Sequence, residues 1–291
     1  MYGSFYRAAS LKEAVFLLAE KTVSTKILSG GTDLMVRMKK GEICPDRLLS
    51  ITRIPELAAV RRENGKIVFG SALTFSAIQS SILMNEEAPF MIEAASQVGS
   101  PQIRAVGTIG GNVVNAAPHA DTVPVLVALD GKAKVVSTRG EKLIPVSELV
   151  LGPHRTALLA DEILTEFSFE VLQPGTGTAF LKLGRRSVMV RARISAACAV
   201  CLDDKDIVTD VRIAAGAVTP KCERFRPAEE ILLGRRMTEK GIKEASGEVS
   251  REMVNRGGVR WSTEYKAPVV SVLVERALRI ASSRAHKEFM R

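Results

Sequence analysis

Two segments carry residue types suited to holding a phosphate-bearing ligand: Leu28-Ser29-Gly30-Gly31-Thr32-Asp33 and Gly107-Thr108-Ile109-Gly110-Gly111-Asn112-Val113-Val114-Asn115. Each sets a glycine pair beside a hydroxyl side chain and an amide or carboxylate. Glycine lets successive backbone N–H groups turn toward one point and lets a ligand approach the main chain closely. Thr32, Thr108 and Asn112 add side chains able to bond the same oxygens. Two such segments facing each other suit the two phosphates of a dinucleotide, whereas one alone reads better as a tight turn after a strand. The first segment lacks Gly-x-Gly-x-x-Gly, which disfavours a Rossmann-type site, and spacing alone does not name the ligand.

Other reactive residues are less informative. His119 lies between Pro118 and Asp121, but with no identifiable serine or cysteine partner it reads as a loop position rather than a general base. His154 and His286 offer no metal constellation with it. Of the four cysteines, Cys198 and Cys201 have metal-ligand spacing but sit in the apolar run Ile194–Leu202. Residues three apart on a strand face opposite ways, so these thiols are expected to be buried and structural. An iron–sulfur cluster needs further thiolates at cluster spacing, which the sequence lacks.

Periodicity supplies the elements that must position these residues. A helix is expected over residues 11–20 with Ser10 as its N-cap, then a strand at Lys26–Ser29 and a helical turn at Leu34–Met38 that Gly41 ends. Further strands are expected at Arg47–Ile51, Lys66–Gly70, Ala133–Ser137 and Ile163–Phe169, and helices at Phe75–Ser80, Phe90–Gln97 and Ala120–Leu129. Beyond Gln173-Pro174-Gly175-Thr176-Gly177 the texture changes. Strands at Phe180–Leu183, Ser195–Leu202 and Ile207–Ala215 precede helices at Pro227–Leu233, Glu239–Met253 and Pro268–Ser283. That order indicates a small α+β domain with helices on one sheet face, and puts a boundary near residues 172–177.

The segments Leu28–Leu34, Gln102-Ile103-Arg104, Thr108–Asn112, Asn115–Pro124, Glu162–Thr165 and Phe180–Arg186, in this order, resemble the FAD-binding subunits of the xanthine dehydrogenase and carbon monoxide dehydrogenase family of molybdenum hydroxylases. The resemblance covers essentially the whole chain. It implies an α+β protein: a two-part FAD-binding domain of the vanillyl-alcohol-oxidase (PCMH) type over residues 1–173, with sub-domains of about 1–55 and 56–173. A small C-terminal domain follows over residues 177–287, a three-stranded sheet plus helices. It further implies that Leu28, Ser29, Gly30, Gly31, Thr32 and Asp33 hold the pyrophosphate of FAD through main-chain amides. Thr108, Gly110, Gly111, Asn112 and Asn115 would approach from the other side, and Asp121 would accept a sugar hydroxyl. Leu164 and Lys182 match positions near the adenine end and the flavin ring. No residue of this chain is expected to be a catalytic acid or base, and none a metal ligand. One departure stands out. Many relatives carry an acidic residue after the Lys-x-x-Arg-Arg segment, where this chain reads Ser187-Val188-Met189-Val190-Arg191-Ala192-Arg193.

By the same resemblance, molybdopterin and the 2Fe-2S clusters belong to separate iron–sulfur and molybdopterin-binding subunits. The chain then relays electrons from those clusters to NAD+, a quinone or another acceptor. The alternative is a self-contained FAD-dependent reductase of the same fold, which needs its own proton donor. The formal charge of +9 invites a nucleic-acid reading, but aromatic residues are 5% of the chain, the basic residues are dispersed, and no nucleic-acid motif occurs. A solvated surface or an acidic protein partner accounts better for the charge. No apolar run approaches the roughly 18 residues of a membrane span. The N-terminus lacks the pattern of a secretory signal, so a cytoplasmic location is expected.

Overall fold

The structure, a computed structural model, describes residues 3–186 and 191–289; Ser187–Val190, where the sequence departs from the family pattern, lies outside the described residues. The chain opens with β1 (Ser4–Arg7), α1 (Leu11–Leu18), β2 (Thr25–Leu28), α2 (Leu34–Lys39) and β3 (Arg47–Ser50). These form a parallel sheet in the order β1-β3-β2. Ser10 caps α1 by accepting from the Glu13 N–H at 3.2 Å, and Ala14, Val15 and Leu18 of that helix pack on Leu49 and Ile54.

Next come β4 (Val60–Glu63), β5 (Lys66–Gly70) and six short helices: α3 (Phe75–Ser80), α4 (Ile82–Glu87), α5 (Pro89–Ser96), α6 (Pro101–Val106), α7 (Ile109–Asn115) and α8 (Thr122–Ala128). They lead into β6 (Lys132–Ser137), β7 (Gly140–Pro145), α9 (Val146–Leu149), the small pair β8 (Val150–Gly152) and β9 (Arg155–Thr156), and β10 (Ile163–Glu170). The sheet order is β4-β5-β10-β6-β7, all antiparallel. Phe69 and Phe167 stack at 5.5 Å between centroids in its core, together with Phe90, Met91, Ile109 and Leu126. Helices α6 and α7 fall where the sequence suggests only loops. Each is less than two turns long and begins with a side-chain cap, Ser100 and Thr108, and their proline and glycines read in the sequence as turn signals.

The last part contains β11 (Thr176–Leu183), β12 (Ile194–Leu202), β13 (Val208–Gly216), α10 (Arg226–Leu232), α11 (Glu239–Gly257) and α12 (Thr263–Phe289). Its antiparallel sheet has β12 at the centre. Helix α12 covers one face, while α5 and α8 of the preceding part cover the other. All nine residues of β12 are therefore buried, which explains why its sequence is apolar without alternation. Cys198 packs in the core beneath α12, and the Cys201 thiol turns the other way toward the Pro174 carbonyl. Burial pushes the Cys198 thiol well above its ordinary range. Helix α12 starts five residues ahead of Pro268, its first turn closed by Lys266 N–H on the Ser262 carbonyl. Glu93 on α5 ties the parts together, accepting from the Phe180 N–H at 2.8 Å and pairing with Arg284 of α12 at 2.6 Å.

Candidate functional site

A cleft of about 600 Å³ opens where the first sheet, the α3–α7 region and β10 meet. It is lined by Ser29, Gly30, Gly31, Thr32 and Asp33 from one side and by Thr108, Gly110, Gly111, Asn112 and Asn115 from the other. The two glycine segments, separated by almost eighty residues of chain, thus face one space. The volume lies within the roughly 300–1,000 Å³ typical of ligand pockets.

The first segment runs off the end of β2. Gly31 has φ +70°, a backbone state costly for other residues, and the Leu28 side chain lies behind it. Leu28 itself does not line the cleft; its carbonyl accepts from Ile51 N–H at 3.1 Å and holds the strand end in place. Among the described residues, the backbone N–H groups of Gly30, Gly31, Thr32 and Asp33 donate to no protein acceptor. Asp33 stands at the N-cap of α2 but its side chain makes no cap bond. The segment thus presents four consecutive donors to the cleft.

The second segment differs from the expectation of a matching amide cradle. It is the start of α7, and its amides are already used: Gly110 N–H donates to the Ser71 carbonyl at 2.8 Å and Gly111 N–H to Thr108 Oγ1 at 3.2 Å. Asn112 N–H closes the helix on the Thr108 carbonyl at 3.0 Å. What the glycines supply here is proximity. A Cβ on Gly110 would sit 2.6 Å from the Ser71 carbonyl oxygen, whereas one on Gly111 would meet only Thr108 Oγ1, at 3.0 Å. Thr108 also fastens the two segments, since its hydroxyl donates to Ser29 Oγ at 3.0 Å. Gly30 fits so tightly beneath α6 that a Cβ there would lie 2.2 Å from the Val106 carbonyl oxygen. Asn112 Oδ1 accepts from Thr122 Oγ1 at 2.7 Å, leaving its amide N–H groups for the cleft. The Asn115 carbonyl is taken by His154 Nδ1 at 3.0 Å.

Asp121 immediately precedes α8, where a carboxylate commonly caps the helix, yet its side chain makes no cap bond. It reaches instead to Lys182 on β11, whose ammonium donates to Asp121 Oδ2 at 2.5 Å and to the Gln97 carbonyl at 2.9 Å. Both side chains are enclosed, Lys182 at 3% exposure and Asp121 at 6%. Lys182, which the resemblance puts near the flavin ring, does not line the cleft; its ammonium is directed at Asp121. Burial raises the Asp121 carboxyl from 3.8 to about 6, against the pull of the lysine. Asp121 lines the cleft, and among the described residues its Oδ1 is buried with no partner. A buried orphan acceptor is costly, so this oxygen is suited to a ligand's hydroxyl or amine.

Leu164 lies buried on β10 at the irregularity where that strand shifts register against β6, and it lines the cleft. His119 is half-buried at the rim; burial, then Arg191, lowers its pKa and favours the neutral ring. Ser71, Phe75, Leu158 and Arg191 also line the cleft, and the sequence reading did not single them out. They come from the turn after β5, the start of α3 and irregular segments, where no residue pattern marks them. The glycine at 110, which fits only against Ser71, was the one available signal.

Residues 1–169 match the family described as the FAD binding domain in molybdopterin dehydrogenase, and residues 179–281 match the CO dehydrogenase flavoprotein C-terminal domain. The chain is 29% identical over 281 residues to the carbon monoxide dehydrogenase medium chain of Hydrogenophaga pseudoflava, covering 96% of this chain and 97% of that one. It is 30% identical over 283 residues to a xanthine dehydrogenase FAD-binding subunit of Escherichia coli O157:H7, covering 95% of both. A solved carbon monoxide dehydrogenase structure from Hydrogenophaga pseudoflava superposes with a TM-score of 0.90 at 29% identity, covering 98% of both chains.

Proposed function

The chain belongs to the family of FAD-binding subunits of molybdopterin dehydrogenases, and from that premise we propose that it is the electron-relay subunit of a molybdenum hydroxylase complex. In this reading electrons reach it from 2Fe-2S clusters on an iron–sulfur subunit and leave to NAD+ or another acceptor. Substrate is oxidised on a separate molybdopterin-binding subunit. Among the described residues no helix is long and apolar enough to cross a membrane, and we assign the complex to the cytoplasm. We divide the chain into two domains, residues 1–173 and 177–287; one core cluster lies wholly within the second, and the central cluster joins the two through Phe180, Ala197 and Ala214.

The observation that carries the reading is one cleft holding both a row of undonated amides, Gly30 to Asp33, and an orphaned buried carboxylate oxygen on Asp121. Those features fit FAD: the amides for its pyrophosphate, Asp121 Oδ1 for a sugar hydroxyl. Asn112 and Asn115 would border the same stretch, and Leu164 would offer an apolar wall. Bound FAD supplies a centre that takes electrons singly and releases them in pairs. The protein's own residues position and enclose it. Lys182 holds Asp121 in place and balances its charge, so the C-terminal part contributes to the site through that contact as well as through Arg191 in the lining.

Purified protein should be yellow and should co-purify with an iron–sulfur and a molybdenum subunit. Turnover of an organic substrate by this chain with NADPH alone would sink the relay assignment. Asp121 gives a sharper test. Its ionised form accepts hydroxyl hydrogens best, so FAD affinity measured by calorimetry is expected to fall as pH drops through about 6, and this dependence to vanish in Asp121→Asn. Stability follows the opposite sign. The folded carboxyl binds its proton more tightly than the unfolded one, so its favourable contribution is complete at acid pH and is lost as pH rises from 3.8 toward about 6. Replacing Lys182 by Met strands a buried carboxylate and should cost about 3–5 kcal/mol in urea unfolding, with loss of flavin.

A further inference from the structure

Helix α5 meets the edge of the C-terminal sheet at two points whose spacing matches. Strand β11 pairs with β12 along one side only, so alternate N–H groups on its other side need acceptors from elsewhere. The Phe180 N–H finds one in Glu93, whose Oε2 accepts it at 2.8 Å. Two residues further along β11 the Lys182 ammonium donates to the Gln97 carbonyl at 2.9 Å, and Gln97 stands four residues after Glu93. Four residues of helix advance about 6 Å and two residues of strand about 6.7 Å, so the two contacts form adjacent rungs between helix and strand.

The second rung ends at the flavin site. Gln97 is the C-cap of α5, where carbonyls lack helical partners and carry partial negative charge, a favourable seat for an ammonium. From there Lys182 reaches Asp121 Oδ2. A lysine stem is flexible, so where its ammonium sits depends on where the strand beneath it is held. Phe180 shares a strand face with Lys182 and is buried in the central cluster beside Phe90 of α5. Apolar packing is non-directional and sets the separation of helix and strand; a hydrogen bond also sets their slide. The Glu93 carboxylate is itself aimed, because Arg284 of α12 donates to its Oε1 at 2.6 Å and to the Thr178 carbonyl at 2.5 Å.

We propose that Glu93 is a positioning residue of the flavin site: by fixing β11 on α5 at Phe180 it sets the Lys182 ammonium against Asp121, although Glu93 itself does not line the cleft. The proposal rests on the reading of Asp121 as a contact to FAD.

The full chain, stripped of flavin, is titrated with FAD by calorimetry at neutral pH, and the same variants are unfolded in urea. Glu93→Asp keeps the charge and shortens the reach by one methylene, whereas Glu93→Gln keeps the reach and removes the charge. Both weaken the Arg284 pair and should unfold at lower urea. The Kd for FAD should rise on the order of tenfold in Glu93→Asp and stay within about twofold of the parent in Glu93→Gln, because only the shorter side chain releases Phe180. In an Asp121→Asn background Lys182 has no carboxylate to place, so adding Glu93→Asp should change the Kd by no more than about twofold. A merely structural role would weaken FAD in step with lost stability in both Glu93 variants, with or without Asp121. Parental affinity in Glu93→Asp, equal losses in the two Glu93 variants, or a loss that persists in full in the Asp121→Asn background overturns the proposal. If Asp121→Asn alone bound FAD as tightly as the parent, the Asp121 contact would fall and the proposal with it; a weakened Asp121→Asn beside an unaffected Glu93→Asp would remove the role of Glu93 alone.

Discussion

The two glycine pairs look alike in the sequence and behave differently in the fold. Gly30-Gly31 leaves a row of backbone donors open to the cleft, whereas Gly110-Gly111 begins a helix whose amides are already bonded to Ser71 and Thr108. One pair is a source of hydrogen bonds; the other permits close packing. Glycine pairs therefore report on backbone approach, and whether that approach serves a ligand or a neighbouring segment depends on what the flanking N–H groups face.

The contrast can be broken by substitution, beginning with the severest. Gly30→Ala drives a Cβ against the Val106 carbonyl oxygen, an atom fixed in the main chain, so about 3 kcal/mol of stability should be lost along with FAD binding. Urea unfolding and flavin content check both; a stable, flavin-loaded variant would show that the first segment is not packed as described. Thr108→Val removes the α7 cap and the bond to Ser29 at similar volume. An intermediate loss of about 1–2 kcal/mol is expected, with weaker FAD binding because the two walls are no longer fastened. Gly111→Ala is the mildest. Its Cβ meets only the Thr108 hydroxyl, and alanine favours helix, so melting should stay within about 1 kcal/mol of the parent, and FAD binding should suffer less than in Gly30→Ala. If Gly111→Ala abolished flavin binding while Gly30→Ala retained it, the roles of the segments would be reversed.

Much of the framework was readable in advance. The Ser10 cap, the strands at β2, β3, β5 and β12, and the long C-terminal helices follow from capping chemistry and periodicity, which are local properties of the chain. The α6–α7 region was missed because Pro101 and the glycines at 107, 110 and 111 read as turn signals. In the site, the glycine segments and Asp121 stood out by residue type, but Ser71, Phe75 and Arg191 did not, since nothing in their neighbours marks them. Lys182 was singled out by its match alone, and the contact it makes was not legible. Its match was to a place near the flavin ring, while its ammonium serves Asp121, 61 positions earlier in the chain.

By itself the sequence determined which residues could act: the two glycine segments, the carboxylate at 121, the lysine at 182 and a central strand apolar on both faces. Tertiary structure alone decided which amides remain free and which carboxylate oxygen lacks a partner among the described residues. The reason is physical. Helix caps and strand alternation depend on near neighbours, but the satisfaction of a polar group depends on every atom that folding brings within hydrogen-bond reach, and most of those are distant in the chain.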